Sequence, residues 1–241
     1  MKSSYYKYFA ALLLFGSNGI VASNINLPSY EIVLLRLLLG SLFLITVFTV
    51  SRQRFTFYRN KHTCLYLFIS ASAMGASWML LYEAYQQVGI SIASLAYYCG
   101  PVIVMILSPF LFRETLTWPK IAGFLTVLAG MCLVNLQALD EGKTIWGLFC
   151  GLMSAFMYAL MVTANKKAKP ESGLENSLLQ LVIGSFIVVA FVSMQKNFVL
   201  SLTTIDWIPV LLLGLLNTGI GCYLYFSSIT DLPVQTVAIC G

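Results

Sequence analysis

The chain has 241 residues, 59% of them hydrophobic and only 10% charged, with a net charge of +5 and a mean hydropathy of +0.85. Water-soluble domains run near 45–50% apolar and about 25% charged, so this composition excludes a soluble enzyme, a nucleic-acid-binding domain and a disordered tail. It is the composition of an all-α integral membrane protein.

A hydrocarbon core about 30 Å thick takes roughly 20 apolar residues in a helix. In chain order, eight such stretches are predicted at residues 6–25, 32–50, 64–85, 90–112, 119–136, 145–164, 177–194 and 207–229, each closed by polar residues, proline or glycine. A ninth begins at Pro233 and reaches Gly241 after nine residues. Lys2 and Lys7 before the apolar run 9–15 have the form of a secretory signal. The apolar character continues through Gly19, Ile20 and Val21, however, and seven spans follow, so the first stretch is read as a retained span. The six cysteines (Cys64, Cys99, Cys132, Cys150, Cys222 and Cys240) lie in or beside spans without a CxxC pair. They predict no disulfide framework and no metal site, and no cofactor is implied.

Basic residues in the short connections set orientation. With the N-terminus inside, the cytoplasmic set is Lys2, Lys7, Arg52, Arg54, Arg59, Lys61, Arg113, Lys120, Lys166, Lys167 and Lys169, against Lys143 and Lys196 outside. The expectation is a multi-pass protein of the cell membrane with a cytoplasmic N-terminus. Topology thereby accounts for the net charge and no nucleic-acid partner is implied.

An internal repeat organises the chain. The segment from Glu31 to Ser41 matches that from Glu175 to Ser185 with six identities in eleven positions, an offset of 144. The same offset places Gly75 on Gly219, Leu80 on Leu224, Tyr82 on Phe226 and Val88 on Leu232. Five spans per repeat force the second copy to enter the membrane inverted, so the expectation is two inverted five-helix repeats, residues 1–139 and 140–241, with eight full transmembrane helices and the start of a ninth. Residues 98–139 have no counterpart at this offset, which predicts about forty further residues completing helices nine and ten. Inverted repeats are characteristic of secondary transporters, because two related halves can exchange roles in opening to either side.

The sequence resembles the EamA-type transporters of the drug/metabolite transporter superfamily. The resemblance rests on Leu35, Arg36 and Gly40; on Gly100, Pro101 and Val102; on Arg113 and Glu114 followed by Trp118 to Gly123 and Gly130; and on Ser154, Ala155, Tyr158, Ala159, Gly214, Thr218, Gly219, Leu232 and Pro233. It implies a ten-helix carrier with both termini inside, in which helices one to four and six to nine surround a central cavity. The partners implied are the lipid bilayer and a small-molecule solute, with protons or an exchange solute as coupling options.

Polar groups inside spans are costly and therefore informative. Arg36 is the one basic residue well inside a span; Gly40 shares its face at i+4, and Gln180 with Gly184 repeats the arrangement. Helix packing and gating are both open readings of these four. Glu83 is the one carboxylate well inside an apolar run, either a proton-coupling group or a solvated edge residue beside Gln86 and Gln87. Ser94, Tyr97, Tyr98 and Pro101 share one helical face, and an interior Pro101 would free the Tyr97 carbonyl. Asn18, Trp78, Tyr82, Tyr158, Asn217 and Tyr225 complete the predicted cavity lining, with an interfacial aromatic belt the other reading for Tyr82 and Tyr225. A membrane-embedded enzyme would need paired acids, a metal cluster or a nucleophile with its base; the single histidine, His62, falls in a cytoplasmic connection, so no catalytic residues are predicted. A non-transporting scaffold or receptor is the remaining alternative, and it would not require inverted repeats.

Overall fold

A computed structural model describes residues 2–22, 24–25, 27–114, 117–135, 145–194 and 207–240. Every regular element among them is helical: α1 (Lys2–Gly16), α2 (Asn18–Ala22), α3 (Ser29–Val50), a 3-10 turn (Phe57–Arg59), α4 (Lys61–Tyr97), α5 (Cys99–Phe112), α6 (Trp118–Asn135), α7 (Ile145–Ala168), α8 (Gly173–Ser193), α9 (Trp207–Leu211), a π-helical stretch (Leu212–Ile220), α10 (Gly221–Ile229) and α11 (Val234–Cys240). Lipid offers backbone groups no partners, so a helix, which satisfies them internally, is the form these apolar runs take. Large apolar side chains such as Leu42, Phe110 and Phe186 stand exposed, as the outer faces of a membrane bundle do.

Among the described residues, five helical runs are long and apolar enough to cross a membrane: Tyr30–Val50, Lys61–Phe112, Ile145–Ala168, Gly173–Ser193 and Trp207–Ile229. This corrects the expected count of eight full spans, and part of the reason lies in where the chain bends. The predicted third and fourth spans form one 52-residue run because the reversal occurs at a single residue, Gly89, with φ 77° and ψ 162°. Only glycine adopts that backbone without strain. The predicted first span breaks at Ser17, between helices of 15 and 5 residues. The boundary at 139/140, Leu136, Lys143, Lys196 and Gly241 lie outside the described residues.

α3 and α8 are antiparallel neighbours. Tyr30 at the start of α3 meets Phe191 near the end of α8, ring centroids 5.7 Å apart. Beyond the other end of α3, the Thr56 and Phe57 amides donate to Glu175 in the first turn of α8 at 2.6 and 2.9 Å. Midway, the hydroxyls of Ser41 and Ser185 lie 3.0 Å apart. Glycines set the close approaches around this crossing. A Cβ on Gly40 would stand 2.9 Å from Thr218 Cγ2, and one on Gly184 2.8 Å from Met74 Cε. One on Gly75 would stand 2.9 Å from the Gly184 carbonyl oxygen and 3.3 Å from Ile187, and one on Gly219 2.7 Å from Phe43. Helices with small residues at the seam pack at backbone distance.

Buried polar groups lock the remaining elements. Asn165 and Asn176 exchange amide hydrogen bonds at 2.9 and 3.1 Å. Lys166 donates to the carbonyls of Ile229, Thr230 and Leu232 at the end of α10. Glu114 accepts from the Val234 and Gln235 amides at 2.8 and 3.0 Å, capping α11.

Candidate solute site

Arg36 lies two turns into α3 and is only 4% exposed. Its Nε donates to Thr218 Oγ1 at 3.0 Å and its Nη1 to the Tyr82 hydroxyl at 3.2 Å. The guanidinium carbon sits 4.2 Å from the centroid of the Trp78 ring. All three partners are neutral. A cation–π contact contributes up to about 2 kcal/mol when desolvated, and hydrogen bonds to a charged group about 1.5–3 kcal/mol each. These offset the several kcal/mol of taking the ion out of water. Helical periodicity places Trp78 and Tyr82, four residues apart, on one face of α4. Thr218 is presented by the π-helical stretch, where its hydroxyl donates to the Leu213 carbonyl at 2.8 Å.

A row of phenols forms the second part of the site. The Tyr82 and Tyr85 rings lie 5.3 Å apart, and Ser94 lies beside the Tyr85 hydroxyl. Tyr97 packs edge-on against Tyr158 at 5.4 Å and against Tyr98 at 6.4 Å. The Tyr158 and Tyr225 hydroxyls are 3.3 Å apart, and Tyr225 continues to Tyr8 and Phe15, both at 5.7 Å. Tyr8 is wholly buried and donates to the Val237 carbonyl at 2.8 Å.

The other predicted residues sort differently. Asn217 meets Asn18 at 2.9 Å and also reaches Ser17 Oγ and the Leu14 carbonyl, stitching the π-helical stretch to the break between α1 and α2. Gly40 and Gly184 serve packing, and Gln180, fully buried, donates to Ser70 at 2.9 Å. Glu83 is not brought to the phenols. It accepts from Gln87 at 3.1 Å and from the Trp146 indole at 3.3 Å on an exposed edge, because its position beside Tyr82 turns it about 100° around the helix. Pro101 is likewise corrected: it occupies the first turn of α5, after the break at Tyr98, where a missing N–H costs no helical bond. Sequence reasoning missed Thr218, Tyr85 and Tyr8 as site members; the one available signal was a hydroxyl amid apolar runs.

A cavity of about 340 Å³ lies elsewhere, where the 51–63 connection meets the end of α7, lined by Thr56, Arg59, His62, Lys167, Lys169 and Glu175. It is a gap between connections at the helix ends, and the buried cation marks the better site. Beside Arg36, a cleft lined by Ile25, Ile32, Leu35, Val210 and Leu213 is closed to a water-sized molecule in this conformer.

The described helices form a polytopic membrane bundle with a buried guanidinium beside aromatic side chains. Residues 3–136 and 145–241 match the EamA-like transporter family, and the chain belongs to that family. It is 26% identical over 240 residues to an uncharacterized transporter of Bacillus subtilis, covering 97% of this chain and 75% of that protein. It is 22% identical over 183 residues to a biotin transporter of Salmonella typhimurium, covering 74% of this chain and 61% of that protein. One crystal structure superposes with a TM-score of 0.81 over 99% of this chain and 83% of the other, at 17% identity, a likeness of fold alone. The protein is a multi-pass membrane transporter whose partners are lipid and a small-molecule solute.

Proposed function

We propose that this chain is a secondary carrier that moves a small organic solute across the cytoplasmic membrane by alternating access, with its N-terminus inside and with residues 1–139 and 140–241 as inverted repeats. The antiparallel crossing of α3 and α8 at Ser41 and Ser185 carries this reading. These serines are 144 residues apart with hydroxyls 3.0 Å apart, and a residue touches its own repeat mate only beside the axis relating the two halves. Antiparallel mates require that axis to lie across the helices, in the membrane plane, as alternating-access carriers have it. The contacts agree in pairs: Gly40 against Thr218 corresponds to Gly184 against Met74, and Gly75 against Ile187 to Gly219 against Phe43.

Asn18, Trp78, Tyr82, Ser94, Tyr97, Tyr98, Tyr158, Asn217 and Tyr225 line the solute path in this reading, while Gly40, Gly184 and Gln180 form the seam along which the halves move. The biotin transporter among the relatives supports a small organic solute. The test is uptake by vesicles reconstituted with the purified protein, across a panel of metabolites, with and without a proton gradient or internal exchange solute. Saturable flux above protein-free vesicles is expected; its absence for every solute under each driving force refutes the carrier.

A further inference from the structure

We propose that Arg36 is the recognition group for the carboxylate of a monoanionic solute with an apolar body, a claim that rests on the carrier reading and names its substrate class. Guanidinium carries five N–H bonds in a planar fork, and two of them are engaged, by Thr218 and Tyr82. The described carboxylates are occupied elsewhere or stand apart: Glu83 holds Gln87 and Trp146, Glu114 caps α11, Glu171 borders the cavity at the end of α7, Glu175 holds Thr56 and Phe57, and Asp231 accepts from Ser4. Glu31, one and a half turns before Arg36, has a buried Oε2 without any hydrogen-bond partner, and the hydrogen bonds of Arg36 go to Thr218 and Tyr82 instead. The guanidinium carbon lies 4.2 Å from the Trp78 ring centroid, and three N–H bonds remain beyond those given to Thr218 and Tyr82. An edge of parallel N–H bonds fits a carboxylate in bidentate fashion.

The rest of the cleft defines the remainder of the solute. Ile25, Ile32, Leu35, Val210 and Leu213 adjoin Arg36 and offer an apolar body dispersion contacts but no polar partner. An amino acid would bring an ammonium within a few Å of its carboxylate, against a cation already present. The geometry thus favours a monoanion over a zwitterion, and over a neutral amide, which places an N–H₂ against donors.

The test is ligand binding to the purified protein, read by melting temperature and tryptophan emission. The probes are octanoate, 3-phenylpropanoate and biotin, each beside its own primary amide, with phenylalanine beside 3-phenylpropanoate. At least one carboxylate binds saturably and ten or more times tighter than its amide, and Arg36→Gln removes that preference. Three carboxylates no better than their amides, a preference that survives Arg36→Gln, or phenylalanine matching 3-phenylpropanoate overturns the proposal. Should Arg36→Gln fail to give monodisperse protein, Arg36→Lys keeps a charge without the fork. It weakens carboxylate binding and leaves amide binding alone, and equal losses for both overturn the claim. Carboxylate preference without flux of any solute in the transport panel refutes the carrier and leaves this site standing, whereas flux without preference refutes this site alone.

Discussion

The Thr218 hydroxyl has one hydrogen and two lone pairs, and the structure uses both kinds: it donates to the Leu213 carbonyl and accepts from Arg36 Nε. Valine has the same shape and neither function. Thr218→Val therefore leaves the charged Arg36 donor without its acceptor, a loss of about 1–3 kcal/mol, and removes the extra bond to the Leu213 carbonyl, so the melting temperature in detergent falls clearly. Thr218→Ser keeps the hydroxyl and stays close to the parent; equal melting of the valine variant and the parent would sink this account. Arg36 was legible in the sequence because a lone basic residue inside a span is conspicuous. Thr218 was not, since threonine in a membrane helix ordinarily bonds its own backbone, and only tertiary packing brings Arg36 to it. Glu83 shows the same gap from the other side: hydropathy places it inside a span, yet only packing reveals that its face meets Trp146 and not the phenols.

At the level of elements, hydropathy found the helical runs and misjudged their joints. A window of some twenty residues averages over a single turning point, and the sequence Gln87-Val88-Gly89-Ile90 carries none of the proline or asparagine that usually marks a turn. Gly89 alone turns the chain, at φ 77°. A Cβ there would meet no neighbour within 4 Å, so backbone conformation is the sole obstacle to a side chain. Gly89→Ala should cost about 1–3 kcal/mol of strain without disturbing packing, seen as lower thermal stability with an unchanged helical circular dichroism spectrum. The end of α10 makes the contrasting case. Lys166 holds the carbonyl of the helix's last residue, Ile229, and those of Thr230 and Leu232 just beyond, though sequence reasoning counted it only among the residues that set topology. Lys166→Met retains much of the aliphatic stem but removes the donors, and a drop of about 1–3 kcal/mol is expected. If the residue served topology alone, the purified variant would melt with the parent.

Across the whole molecule, the repeat offset of 144 was legible because Glu, Gly and Ser recur in step along Leu-rich segments, where leucine matches by themselves mean little. The placement of that repeat in space was not, since periodicity along a chain is silent about which helices touch. The contact between Ser41 and Ser185 supplies a consequence that distinguishes an exchanging carrier from a rigid bundle. If the inward-open state is the outward-open state with the two halves interchanged, each contact in one state becomes the contact of its mates in the other. Gly40 against Thr218 trades places with Gly184 against Met74, so neither distance need stay constant. The pair Ser41 and Ser185, by contrast, maps onto itself, and its separation must be the same at both ends of the cycle. Ser41→Cys with Ser185→Cys, in a background whose six native cysteines have been replaced, should therefore cross-link on mild oxidation and still carry solute. A cysteine pair replacing Ser77 and Ser154, whose hydroxyls are 3.2 Å apart but which are not repeat mates, should arrest flux when oxidised and regain it on reduction. Flux lost on oxidising the pair at Ser41 and Ser185, and restored by reductant, would rule out exchange of the two halves about this axis.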